Sequence, residues 1–272
     1  MKSEISKNIL HQVKENYNLC AEEFSATRVY NWQEISVLIE KYIKGGMKVL
    51  DAGCGNGRIC ELLEDRRVDY IGIDNSEELI REAKENQELR IKNYELRIGR
   101  EAENISPAPD EITAREQSTS FVKSVKFKIG DILDLPFADS EFNVVLCIAV
   151  LHHIPSKELR KKAMGEIYRV LKHGGILIMT NWNLYQKNYI HYIYEFTIKK
   201  LLFKNKMDFG DIMLKPFSGK GSKRYHHAFT KRGIKKLMQQ AGFRLDECYY
   251  AGNGSISNWR EGRNLVAAGK KV

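Results

Sequence analysis

Val49-Leu50-Asp51-Ala52-Gly53-Cys54-Gly55-Asn56-Gly57 is the stretch on which the reading of this chain turns. Met47–Asp51 is a short apolar run ending in a carboxylate, and Gly53, Gly55 and Gly57 follow at alternate positions. The pattern predicts a strand, a glycine-lined turn and a helix, so that a ligand can lie against bare backbone where a Cβ would collide. Its spacing is one residue tighter than the dinucleotide fingerprint Gly-x-Gly-x-x-Gly, and no phosphate-cradling lysine follows. An acidic strand end suits a cationic ligand group better than a pyrophosphate. Further on, Tyr70-Ile71-Gly72-Ile73-Asp74 ends a second strand in another carboxylate, one that can hold both hydroxyls of a ribose.

A cation at one end and a ribose at the other describe S-adenosylmethionine. Two more motifs follow in order. Gly130-Asp131-Ile132-Leu133-Asp134-Leu135-Pro136-Phe137 comes after an expected third strand at 122–129, and Phe142–Ile148 reads as a fourth that runs on to His152-His153. On these four motifs the chain resembles the class I S-adenosylmethionine-dependent methyltransferases. The resemblance implies a Rossmann-like, doubly wound α/β sheet of seven strands, mostly parallel with an antiparallel C-terminal strand. It also implies that the cofactor is held by Asp51, Gly53, Cys54, Gly55, Gly57, Asp74, Asn75, Asp131, Ile132 and Ile148, with Asp131 receiving the adenine amino group.

Composition sets outer bounds. With 272 residues, 43% hydrophobic and 29% charged, the chain can bury one substantial core. No apolar run reaches the roughly 20 residues that span a bilayer, and no apolar signal segment opens the sequence, so no membrane partner is expected. The cysteines, at 20, 54, 60, 147 and 248, are scattered without a Cys-x-x-Cys, the pattern of a reduced cytoplasmic protein with no disulfide framework and no zinc site.

The net charge of +9 favours an anionic partner, the alternative being a lysine-rich solvated surface. Lysines and arginines crowd residues 199–235 against only Asp208 and Asp211, interleaved with Phe203, Phe209, Phe217, Tyr225 and Phe229. Cations for phosphates mixed with rings for unpaired bases are what single-stranded RNA recognition uses.

Along the chain, helices are expected over 4–24 and 33–44, with a break at Phe24–Arg28 able to fold over a ligand. Strands 47–51, 68–74, 122–129, 142–148 and 174–181 then alternate with helices 57–66, 76–90 and 156–172. Helix 230–241 and an antiparallel pair, 243–251 and 263–270, close the fold. We therefore read one domain, 1–272, with an N-terminal helical lid (1–46), a flexible insertion (92–120) and a basic aromatic cap insertion (183–228). Within the cap, Tyr185–Phe203 has helical apolar spacing and is expected over the cofactor cleft; a membrane-surface helix is the less common alternative.

The flanks narrow the acceptor. Tyr17–Trp32, Val150-Leu151-His152-His153, Arg224-Tyr225-His226-His227-Ala228-Phe229 and Asn258-Trp259 resemble signatures of the tRNA wobble-uridine carboxymethyl methyltransferases, the family that includes the methyltransferase domain joined to an AlkB-like hydroxylase in animals. That resemblance implies methyl-ester formation on the carboxylate of a 5-carboxymethyl wobble uridine in tRNA. In eukaryotic members it also implies a small activator subunit. Arg28 is the first candidate to orient the carboxylate or the cofactor tail, a surface ion pair being its alternative. Tyr17 and Trp32 can wall the cofactor or stack on a base, or simply pack. His152 and His153 end a strand at the cleft, where one can touch substrate while the other packs beneath the sheet. Lys223, Arg224, Tyr225, His226 and His227 are candidates for RNA or substrate-anion contact. Adjacent histidines lack metal-ligand spacing, so no metal is expected. A small-metabolite methyltransferase and a non-catalytic scaffold keeping the cofactor pocket are the rival readings.

Overall fold

Consecutive residues of the central strands point to opposite faces of the sheet, and both faces are covered. The computed structural model describes residues 1–27, 33–103, 124–217, 219 and 221–272. In β1 (Lys48–Ala52), β2 (Asp69–Asp74), β4 (Phe142–Ile148) and β5 (Leu171–Trp182), Leu50, Ile71, Val145 and Leu177 enter one core. Their neighbours Val49, Tyr70, Val144 and Ile178 enter the other. Near-continuous apolar runs are what a parallel sheet buried on both sides requires.

The sheet order is β3-β2-β1-β4-β5-β10-β8-β9, with β3 (Ser124–Ile129), β8 (Phe243–Gly252), β9 (Ser255–Ser257) and β10 (Asn264–Lys271). β1 pairs in parallel with both β2 and β4, so the strand order reverses there and leaves a crevice at their carboxyl ends. β10 runs antiparallel between β5 and β8. Among the described residues the sheet has eight strands rather than the expected seven, because Tyr250–Gly252 folds back on Ser255–Ser257 in a hairpin at the sheet edge.

Helices α3 (Gln33–Tyr42), α4 (Glu77–Glu103), α5 (Lys157–Val170) and α7 (Lys231–Gln240) flank the sheet. Ser156 caps α5 and Thr230 caps α7, each hydroxyl accepting a backbone N–H of the first turn. α4 runs on to Glu103, past the expected end at 90, so the first part of the expected flexible insertion is helical. Residues 104–123 lie outside the described residues, as do Arg28 and Trp32.

Other local expectations shift. The segment after the glycine turn is a 3-10 helix, Arg58–Arg66. The expected helix 4–24 is two, α1 (Ser3–Leu19) and α2 (Ala21–Thr27), parted at Cys20. α1 packs Ile9 and Val13 against Tyr225, which lies on a hairpin of β6 (Asp211–Leu214) and β7 (Arg224–His227). The roof over the crevice is thus α1 and α2, with this hairpin packed against α1. α6 (Ile190–Leu201), expected above the cofactor, instead packs behind β6 and contributes no residue to the cleft. No helix among the described residues is long and apolar enough to cross a membrane.

Candidate active site

The crevice at the carboxyl ends of β1, β2 and β4 is a cleft whose floor carries Asp51, Gly53, Cys54, Gly55, Asp74, Asn75, Asp131, Ile132 and Ile148. Nine of the ten residues expected to meet the cofactor therefore share one cavity. Gly57 is the tenth and serves packing: at φ +74°, a Cβ there would lie 2.6 Å from Cζ of Phe127. Gly53, at φ +90°, faces Val150 Cγ2 at 2.3 Å in the same sense. Glycine is required at both for conformation and close approach.

Two carboxylates set the electrostatics. Asp51 is fully buried; its Oδ2 accepts the hydroxyl of Tyr70 at 2.7 Å, and its Oδ1 has no hydrogen-bond partner among the described residues. Burial pushes its pKa up to about 7, against the pull of the Tyr70 hydrogen bond. Asp74 accepts the backbone N–H of Gly55 at 3.0 Å and of Ser76 at 2.9 Å, which ties the glycine turn to the end of β2. Burial raises its pKa as well, with those backbone donors opposing. A buried carboxylate oxygen with an unmet acceptor, on the floor of a glycine-lined cleft, calls for a cation. A sulfonium ligand with an attached ammonium meets that demand, so the residues present fit S-adenosylmethionine.

Walls come from residues distant in sequence. Tyr17 of α1 and Phe24 of α2 meet edge-on, and both line the cleft. Trp182, at the end of β5, lines it too. A second, smaller recess opens beside it, lined by Tyr17, Phe24, His153, Trp182, Phe217 and Arg224. The Arg224 guanidinium donates to the carbonyl of Lys215 at 3.0 Å and lies 5.6 Å from the Phe217 ring centroid.

The four histidines of the two His-His pairs take different parts. His153 accepts the Tyr17 hydroxyl at Nε2, 2.8 Å away, and donates from Nδ1 to the carbonyl of Tyr225 at 3.3 Å. Burial pushes its pKa down to about 4, so it is neutral at physiological pH. His152 is fully buried and accepts the N–H of Trp182 at Nδ1, which leaves the proton on Nε2. His226, also fully buried, donates from Nδ1 to the carbonyl of Arg224. Both His152 and His226 stack on Trp182, at ring-centroid distances of 5.7 and 5.3 Å.

Ring nitrogens of His152, His153 and His226 lie within 4.8 Å of one another, a grouping the spacing of adjacent histidines did not disclose. Their hydrogen bonds describe three neutral imidazoles, and only His226 keeps an unengaged ring lone pair, at Nε2. His227 bonds the carboxylate of Asp211 at 2.7 Å.

Two further expectations change. Tyr225, expected at an RNA surface, is buried; its hydroxyl donates to Asp211 at 2.6 Å and accepts from Arg160 at 3.3 Å, which fastens the hairpin to α5. His226 is likewise too buried to reach a large ligand, because Trp182 covers it. Lys223 is exposed; its carbonyl accepts the side-chain amide of Gln12 and anchors the hairpin to α1. Trp182 escaped sequence reading, whereas Phe24, in the expected break over the ligand, and Phe217, among the expected RNA-facing rings, both line the recess. For Trp182 the available signal was an aromatic residue at the carboxyl end of a central strand.

A family profile described as a methyltransferase domain matches residues 25–247. A tRNA (carboxymethyluridine(34)-5-O)-methyltransferase of Arabidopsis thaliana is 28% identical over 185 residues, which cover 68% of this chain but only 35% of that protein. A relative of the same name in Schizosaccharomyces pombe is 26% identical over 257 residues, covering 89% of this chain and 91% of that protein. Among solved structures, a SAM-dependent methyltransferase of Methanosarcina mazei superposes with a TM-score of 0.63 at 22% identity, over 86% of this chain and 97% of that one.

Proposed function

Because the chain belongs to the methyltransferase-domain family and is an S-adenosylmethionine-dependent methyltransferase, we propose that it methylates tRNA, at the carboxylate of a 5-carboxymethyl-type wobble uridine. The observation that carries this reading is the recess beside the cofactor cleft. Tyr17, Phe24, Phe217 and Trp182 give it aromatic walls for a planar base, and Arg224 gives it a guanidinium for an anion. The names of the Arabidopsis and Schizosaccharomyces relatives support the same acceptor.

When bound, S-adenosylmethionine supplies an electrophilic methyl group for in-line transfer. Asp51 would face the cationic end of the cofactor and Asp74 its ribose, with Gly53 and Gly55 against the backbone side. Asp131, Ile132 and Ile148 would enclose the adenine. A carboxylate acceptor with a pKa of about 4 is already ionised at neutral pH, so no general base is needed. Positioning is the difficulty, and a carboxylate surrounded by cations would lose its nucleophilicity. Neutral His153 therefore suits the site: it shapes the recess without adding charge. Arg28 remains a proposal for orienting the anion. Lys223, exposed on the same hairpin as Arg224, is proposed to meet the tRNA backbone.

The test is transfer of labelled methyl groups to bulk tRNA, with nucleosides resolved by mass spectrometry. The expected product is a uridine derivative one methyl group heavier whose label is released by mild alkali, as an ester's would be. Label that resists alkali, or that enters small metabolites only, would sink this acceptor.

A further inference from the structure

Helix α6 carries two apolar faces, and the fold covers one. Tyr192, Ile193 and Phe196 pack onto Leu184, Ile212, Leu214 and Ala228. On the other side, Tyr194, Ile198 and Leu201 recur at helical spacing yet are 63%, 56% and 62% exposed. A surface helix ordinarily turns charged residues to that side.

The stripe continues beyond the helix through exposed Leu202 to Phe203, which is 95% exposed, and Phe209 beyond it is exposed as well. Phe203 sits at φ +56°, in the left-handed region that helix ends usually assign to glycine. A large ring held in strained backbone and almost wholly in water is unfavourable on both counts, and such outliers gather where they serve function.

Cations border the stripe. Lys199, Lys204 and Lys206 are exposed, Lys200 is partly so, and Lys2 faces Leu201 and Phe203 across a shallow surface groove. The acids between 190 and 209 are Glu195, paired with Lys199, and Asp208, paired with the N-terminal ammonium. A second copy of the chain would set lysines against lysines. Tyr194, Phe203 and Phe209 are rings a base can meet, but the aliphatic Ile198, Leu201 and Leu202 that run between them offer it nothing to stack on. A convex apolar stripe with a basic border matches a fluid partner that is apolar inside and anionic at its surface.

We propose that α6 and the turn at 202–209 dock on an anionic lipid bilayer. Ile198, Leu201, Leu202 and Phe203 enter the acyl boundary while the lysines reach the headgroup phosphates. Lying on a membrane needs no spanning segment, so this amends the expectation of no membrane contact. The proposal is independent of the methyl acceptor.

The experiment is co-sedimentation of the full chain with phosphatidylcholine vesicles, with and without phosphatidylserine, alongside the variant Leu201→Asp/Phe203→Asp. Unchanged S-adenosylmethionine binding by the variant reports an intact fold. The chain should pellet with phosphatidylserine vesicles and bind about tenfold more weakly to neutral vesicles, in high salt, or as the variant. Failure to pellet, or equal pelleting of the variant, overturns the proposal. So does a variant whose vesicle binding persists while its tRNA retention falls, or one that merely converts a dimer to monomer.

Discussion

The phenol oxygen of Tyr17 lies 2.8 Å from Nε2 of His153, joining the N-terminal helix to the turn that follows β4. The other nitrogen of that imidazole donates to Tyr225 on β7. One neutral ring thus ties together α1, the turn after β4 and β7, each remote from the others in sequence.

Tyr17→Phe should loosen this junction. A hydrogen bond of this kind contributes about 1 kcal/mol, so α1 should open roughly fivefold more often. Amide hydrogen exchange over residues 3–19 would read it, and unchanged exchange would show that the helix is held by its other contacts.

The pH dependence of cofactor binding should follow Asp51. Burial raises this carboxyl to about 7 in the open cleft, and a cation requires it ionised. Affinity for S-adenosylmethionine should be flat above pH 7 and fall by up to about tenfold per unit below it. The stability linkage has the opposite sign. A carboxyl raised from about 4 on folding favours the fold at low pH, and that contribution is lost as pH rises through about 7. Asp51→Asn should bind weakly at every pH and flatten the affinity profile; a wild-type slope persisting in the variant would assign the titration elsewhere.

Asp74→Asn keeps one acceptor oxygen for the backbone of Gly55 or Ser76 but cannot serve two ribose hydroxyls as an anion. Lost charge-assisted hydrogen bonds amount to about 1.5–3 kcal/mol, or roughly one to two powers of ten in affinity. Calorimetric titration showing wild-type affinity would contradict the ribose assignment.

Gly57→Ala should destabilise without touching the cleft directly. The new methyl group meets Phe127 at 2.6 Å and the residue keeps an unfavourable positive φ, together costing about 2 kcal/mol or more. Thermal melting should show the loss, and Phe127→Leu in the same chain should recover part of it. A Gly57→Ala protein as stable as the parent would refute the packing role.

Charge reversal at exposed Lys223 should weaken tRNA binding and reduce its salt dependence by about one counterion. Filter binding across a salt series measures both, and parallel slopes would move the contact away from this hairpin.

The sequence alone determined the floor of the cleft. Asp51, the glycine turn and Asp74 announce themselves because conformational demands at positive φ, strand alternation and a terminal carboxylate are properties of a few consecutive residues. Only the tertiary structure decided who faces whom above that floor. His226 reaches His152 and His153, and Trp182 covers the buried pair, because the β6–β7 hairpin folds back beneath α1. Tyr225 looked like a surface ring among lysines, yet Asp211 and Arg160 draw it into the interior. α6 carried the right spacing for a cap, but a period says only that one face is apolar, not which surface receives it. Such pairings depend on chain segments meeting across long loops, and no local pattern encodes the meeting.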